Sequence, residues 1–228
     1  MLSIFCGLLL SMEYLARAQG TFQNLDFEGA FNLPVLNPPS STALVPMANA
    51  LPGWTQYING TNLESLVIYN GVSGGAAAIS LLTSNTANST FPVLGGNYTV
   101  TIAAGQFPPL TSTVPTAIAQ TSLVPVTALS LRFSAKGFVD DLAVSFNGQE
   151  IPFFLLQALP NYGIYGCDVS TIRGLPGELR FTERPISNPF SKTLLDDIFF
   201  SNQPIPEPSA IGLFALGASF VAWRLRKR

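Results

Sequence analysis

Leu142-Ala143-Val144-Ser145-Phe146-Asn147-Gly148-Gln149-Glu150-Ile151-Pro152-Phe153-Phe154 is the stretch that decides the fold. Asn-Gly favours positive φ at both central positions of a two-residue type I′ turn, and the apolar run before it has strand length, so the stretch predicts a β-hairpin. Working outward, the same signature of short β-branched and aromatic runs broken by Gly, Pro, Asn and Ser recurs along the chain. It predicts strands at 21–27, 63–69, 76–82, 97–103, 116–121, 128–135, 142–146, 150–154, 163–169, 177–182 and 193–200. No amphipathic helical period of any length interrupts them between Thr21 and Asn202. One helical turn is expected over Asp168–Gly174, with Ser170 as N-cap and Gly174 as stop. Asn32–Pro52 and Phe107–Pro115, crowded with Pro and Ser, read as surface loops. The fold class is all-β, an antiparallel β-sandwich.

Both ends of the chain read as targeting segments. Leu2–Met12 is apolar over signal-peptide length, and Ala16-Arg17-Ala18 places small residues where signal peptidase reads, so cleavage after Ala18 is expected. At the other end, Pro206-Glu207-Pro208 precedes an apolar run, Ser209–Leu225, that carries no charge before Arg224, and the chain closes on Arg224, Arg226, Lys227 and Arg228. As a helix that run rises about 25 Å at roughly 1.5 Å per residue, a short span of the ~30 Å hydrocarbon core. The basic cluster keeps its end cytoplasmic and puts everything before Pro206 on the far side of the membrane. The order of triplet, small-residue-rich apolar helix and basic cluster resembles the PEP-CTERM sorting signal of Gram-negative bacteria. That resemblance implies export, transient anchoring in the inner membrane, and tail removal by an exosortase that delivers the protein to the cell surface or an exopolysaccharide matrix. The alternative is a permanently tail-anchored structural protein. The expected organisation is a signal peptide at 1–18, a sandwich at 19–203 and a sorting tail at 204–228 with a transmembrane helix at 209–225.

Between the targeting segments the body carries six basic against eleven acidic residues, and a mildly acidic body without a basic patch argues against nucleic-acid binding. Of the two cysteines, Cys6 leaves with the signal peptide, so Cys167 has no intrachain disulfide partner. A second resemblance covers most of the body. Phe22-x-Asn24-x-x-Phe27-Glu28, Leu51-Pro52-Gly53-Trp54, Ile118-x-Gln120 and Leu195-Asp196-Asp197-Ile198 resemble the galactose-binding-like jelly rolls of carbohydrate-binding modules. It implies that first and last strands lie side by side, bringing Phe27-Glu28 near Asp196-Asp197.

The chain contains no histidine, which removes Ser-His-Asp and Cys-His catalysis and histidine metal sites. Cys167 reads as a small buried hydrophobe. Asp140, Asp141, Glu150, Glu183, Asp196 and Asp197 are the carboxylates from which a glycoside-active acid and base would be drawn, and no pair of them is marked. Asp140-Asp141 reads as a solvated turn. The period of a strand puts Asp196 and Asp197 on opposite faces. Glu28 with either aspartate makes a candidate structural calcium site, carboxylate and carbonyl oxygens suiting that ion. Its alternative is backbone hydrogen bonding that closes the first strand to the last. No other cofactor is expected. Sugar binding would use exposed aromatic faces; Trp54, Tyr57, Tyr69, Tyr162 and Tyr165 are the candidates, with Tyr162 and Tyr165 near the turn at Pro160-Asn161 and Trp54 also readable as a core plug. The sequence therefore points to an exported, non-enzymatic, carbohydrate-associated surface or matrix protein, with signal peptidase, exosortase, the inner membrane and an extracellular polysaccharide as partners. A carboxylate-based glycoside-active enzyme is the alternative.

Overall fold

The computed structural model describes residues 21–63, 66–84, 91–109 and 111–205. The expected signal peptide (1–18) and the expected transmembrane helix (209–225) lie outside the described residues; among those described, no helix is long and apolar enough to cross a membrane.

In chain order the elements are β1 (Ala43–Pro46), α1 (Met47–Ala50), β2 (Thr55–Ile58), β3 (Thr61–Asn62), β4 (Leu66–Tyr69), β5 (Ala78–Thr83), β6 (Tyr98–Ala103), β7 (Gly105–Gln106) and β8 (Thr113–Val114). They continue with β9 (Thr116–Leu123), β10 (Ser130–Gly137), a 3-10 turn (Val139–Asp141), β11 (Leu142–Phe146), β12 (Gln149–Glu150), β13 (Phe153–Ala158), β14 (Gly163–Asp168), β15 (Pro176–Glu183) and β16 (Lys192–Ser201). An eight-stranded sheet, ordered β1-β4-β5-β6-β16-β10-β14-β13, faces a six-stranded sheet, β12-β11-β15-β9-β2-β3, with β7 and β8 as a separate pair. Every pairing is antiparallel except β4 with β5. This is the β-sandwich of the sequence reading.

The deciding hairpin forms as expected. Asn147 and Gly148 take φ of 51° and 79°, the type I′ signature, and Phe146 pairs with Gln149. Its second strand is shorter than predicted: proline has no N–H to give to a ladder, the chain leaves the sheet at Ile151-Pro152, and from Phe153 it joins the other sheet as β13.

Between the sheets the inward residues of both form one core, in which Phe133 packs edge-on against Phe153 and Phe181 and stacks on Tyr165 at 5.8 Å. Each such ring removes a large apolar area from water and adds ring-edge attraction.

Four expectations change. Residues 21–27 are not a strand, because Asn24 and Phe27 adopt φ of 51° and 58° and break the extended run. The segment instead plugs the sandwich, with Phe22, Leu25 and Phe27 buried. It spans both sheets: the Gln120 side chain on β9 exchanges hydrogen bonds with the Gln23 backbone at 2.6 and 2.9 Å, and the Ile198 N–H of β16 donates to the Leu25 carbonyl at 3.0 Å. The expected loops are not free of strands: 32–52 contains β1 and α1, and 107–115 contains β8. Residues 170–174 form turns, not a helical turn, and Asp168 supplies the side-chain acceptor to the Ser170 N–H at 2.8 Å. Asp141 is not in a solvated turn; it is 1% exposed and takes the Ser187 hydroxyl at 2.7 Å and the Ser187 N–H at 3.0 Å.

Candidate functional site

Asp196 and Asp197 do not alternate across the strand. A register shift opposite Arg132 to Ser134 and a φ of 48° at Asp197 form a bulge, and the twist brings both carboxylates to one turn, Gly95-Gly96. Asp196 accepts the Gly95 N–H at 3.0 Å and the Thr99 hydroxyl at 2.5 Å on one oxygen, and the Asp197 N–H at 2.7 Å on the other. Glu28 reaches the same loop from the N-terminal plug. Its two oxygens accept the Asn97 N–H at 2.7 Å, the Tyr98 N–H at 2.9 Å and the Asn97 side-chain amide at 2.8 Å.

Glu28, Asp196 and Asp197 thus border one loop, but the backbone there offers N–H hydrogens to Glu28 and Asp196, whereas a calcium cage needs carbonyl and carboxylate oxygens turned inward. Among the described residues no group of three or more His, Cys, Asp or Glu side chains could hold a metal ion. The donor set fits a hydrogen-bonded clamp, not the ion.

What the clamp positions is Tyr98. Beside it, Tyr69 of β4, Thr83 of β5 and the loop 30–39 close a groove of ≈ 530 Å³, within the size range of small-ligand sites. The Tyr69 hydroxyl is pushed above its ordinary pKa by burial and by the neighbouring Tyr98 phenol. The far wall is tied down by Asn70, which is 2% exposed: its amide donates to the Pro39 and Ser41 carbonyls at 2.8 and 2.9 Å and accepts the Thr83 hydroxyl at 2.7 Å. Phe31, 48% exposed and held through its N–H to the Asn49 carbonyl, separates this groove from an apolar one of ≈ 820 Å³ along α1, β2 and β4. Two tyrosine rings, a threonine hydroxyl and the Asn32 amide at one opening combine apolar ring faces with hydrogen-bonding groups.

The aromatic residues singled out in the sequence fare differently. Trp54 is 5% exposed, wedged against Phe27 and Phe181, and donates its indole N–H to the Asn24 carbonyl at 2.9 Å; it is a core residue that contributes only a small exposed area to the lining of the ≈ 820 Å³ groove. Tyr165 is covered by Phe133 and Phe153. Tyr57 has the Arg180 guanidinium 3.9 Å over its ring, an arrangement fixed by Glu178, which binds both. Tyr162 stays half-exposed at the tip of the β13–β14 hairpin, where its carbonyl accepts the Leu159 N–H at 2.9 Å. Tyr98, missed in the sequence, has no local signal, since its partner Tyr69 stands in a different strand and meets it only across β5.

Among the carboxylates, Glu183 and Asp141 stand in contrasting environments. Glu183 is fully buried between the sheets, and desolvation, with Asp141 nearby, pushes its pKa up to about 8. Neither of its oxygens has a well-formed hydrogen bond, although the Thr193 and Ser191 hydroxyls stand close enough to oppose the rise. Burial works in the same direction on Asp141, but its donors from Ser187 and Asn188 prevail and hold it below the ordinary carboxylate range. Opposed pKa shifts are the mark of an acid–base pair, yet both residues are sealed in the interior. Cys167 is wholly buried and its thiol is pushed up to about 12 by burial, which leaves it unreactive.

Residues 204–227 match the PEP-CTERM protein-sorting motif, the tail of proteins exported and sorted to the cell surface. None of the curated proteins matches the chain. Among solved structures, TmCBM61 in complex with β-1,4-galactotriose is 12% identical with a TM-score of 0.43, over 82% of this chain and 100% of that one. The K1 cleaved adhesin domain of Lys-gingipain from Porphyromonas gingivalis W83 is 11% identical with a TM-score of 0.42, over 73% and 99%. The family 11 carbohydrate-binding module from Clostridium thermocellum, in complex with a β-1,3-1,4-mixed-linked tetrasaccharide, is 10% identical with a TM-score of 0.36, over 72% and 98%. The sugars are ligands of those proteins.

Proposed function

We propose that this is an exported, non-enzymatic protein of the cell surface or exopolysaccharide matrix, anchored at the inner membrane by its tail until an exosortase removes it, and associated with carbohydrate through the Tyr69–Tyr98 groove. The PEP-CTERM motif at 204–227 carries the reading: it begins directly after the last strand closes the sandwich at Ser201, so the folded body and the sorting signal are consecutive modules. The carbohydrate part is supported by the groove, whose tyrosines suit the apolar C–H face of a pyranose and whose lining also includes the polar residues Thr83 and Asn32. The non-enzymatic part is supported by the placing of the carboxylates, since Glu183, Asp141 and Asp196 are each at most 1% exposed and the exposed Glu150 is paired with Arg184 at 2.8 Å.

Two measurements test it. The intact mass of the protein from culture supernatant should run from near Gln19 to near Pro206; a form retaining Arg228 and found only in membranes refutes sorting and leaves a permanently anchored protein. Binding of the host's own exopolysaccharide should then fall at least severalfold in Tyr98→Ala and be unchanged in Tyr162→Ala, and equal binding by both variants refutes the groove.

A further inference from the structure

The sorting tail does not leave the sandwich through a free linker. Ser130 donates its hydroxyl to the Gln203 carbonyl at 2.7 Å while accepting Arg132 Nε at 3.2 Å, and the Gln203 N–H donates to the Ser201 hydroxyl at 3.1 Å. Ile205, inside the sorting motif, then packs over Gly166 of β14: a Cβ added there would lie 2.6 Å from Ile205 Cδ1 and 2.7 Å from Leu156 Cδ1. The absence of a side chain at Gly166 is what lets the exit segment lie close on the sheet. Pro206-Glu207-Pro208 follow at once.

The surface around this exit is apolar and unguarded. β13 is the outermost strand of the eight-stranded sheet, its sequence FFLLQA carries no charge, Phe154 is 47% exposed, and Leu156 lies beside Ile205 over Gly166. Edge strands that face water are ordinarily protected by charge, proline or cover. Phe154 pairs with Gly166 and Gly166 with Arg132, so one row across β13, β14 and β10 presents an exposed phenylalanine, the seat of Ile205 and a guanidinium. An apolar aromatic with a cation beside it is what settles at a lipid headgroup boundary.

We infer that the β13–β14 outer face, with Phe154 and Leu156 around Ile205 and Arg132 at its border, is a membrane-docking surface that lies on the lipid headgroups while the protein is tail-anchored. The occupant follows from the exit path. With Ile205 fixed to this face and the membrane segment beginning at 209, the chain between them reaches at most about 14 Å, which keeps the face close to the bilayer. The inference rests on the reading of 209–225 as a membrane segment.

The test uses the full-length chain in vesicles of phosphatidylethanolamine and phosphatidylglycerol, with Cys6→Ser so that the wholly buried Cys167 is the only native thiol. A fluorescent probe is placed at Gln157→Cys on β13 or, as control, at Gln149→Cys on β12. A quencher carried on the lipid headgroups should quench the β13 probe severalfold more than the control, and Phe154→Glu with Leu156→Glu should abolish the difference. Equal quenching at the two positions in chains that float with the vesicles overturns the docking surface and spares the anchor. Chains that do not float overturn the anchor, and the docking surface with it.

Discussion

Replacing Glu183 by glutamine isolates one buried charge. Glu183 has an ordinary pKa of 4.5 that the folded interior raises to about 8, with desolvation as the main cause and Asp141 adding to it against Arg184 and the hydroxyls of Thr193 and Ser191. A folded pKa above the unfolded one means that the native state holds the proton more tightly. The resulting stability is fully present below about pH 4.5, erodes as the unfolded chain ionises, and is lost as pH rises through about 8. At about 1.4 kcal/mol per pH unit the ceiling is roughly 5 kcal/mol, a large part of the 5–15 kcal/mol that holds a domain together. Asp196, raised to about 7, slopes the same way, so the readout is the difference between variant and wild type, not the wild-type curve by itself. In urea titrations of the 19–205 body, Glu183→Gln should match the wild type within about 1 kcal/mol at pH 5, where both carry a neutral group, and exceed it by several kcal/mol at pH 8.5. A variant-minus-wild-type difference that stays constant from pH 5 to 8.5 refutes the assignment of a buried, protonated Glu183.

Gly148→Ala keeps an open site, with nothing within 4 Å of the added Cβ, but forces alanine to φ of +79°; it should cost about 1 kcal/mol of unfolding free energy, read in urea. Phe133→Ala removes the ring shared by Phe153, Tyr165 and Phe181, and calorimetry should show a loss of roughly 3–5 kcal/mol. Because N–H donors occupy the carboxylates at the Gly95-Gly96 loop, a calcium chelator should leave the melting temperature unchanged, and a clear rise on adding calcium would contradict the clamp.

Much of the body was legible because strand and turn chemistry is local. Asn147-Gly148 announced its own turn, and Leu142–Phe146 stood within the predicted limits. The first strand was misread because Asn24 and Phe27 carry positive φ, which is uncommon at a phenylalanine and has no local signal; that backbone is imposed by packing between the sheets and by the Gln120 side chain. Site residues were harder still. Trp54, Tyr57 and Tyr165 were candidate sugar platforms in the sequence, Trp54 also readable as a core plug, and each has a face closed by a neighbour distant in the chain. Tyr98, which does open on a groove, looked like any strand tyrosine.

The sequence by itself determined the sorting motif at 204–227 and the class of the fold. An apolar run with its charge pattern, an Asn-Gly turn and the absence of histidine are properties of neighbouring residues or of composition, and need no partner to be read. Only the tertiary structure decided which carboxylates are sealed, that Glu28 serves as a clamp for the Asn97-Tyr98 backbone, which aromatic rings stay open, and that Ile205 lies on Gly166. Each depends on contacts between segments far apart in the chain, where burial and hydrogen-bond geometry, not residue type, set what a side chain can do.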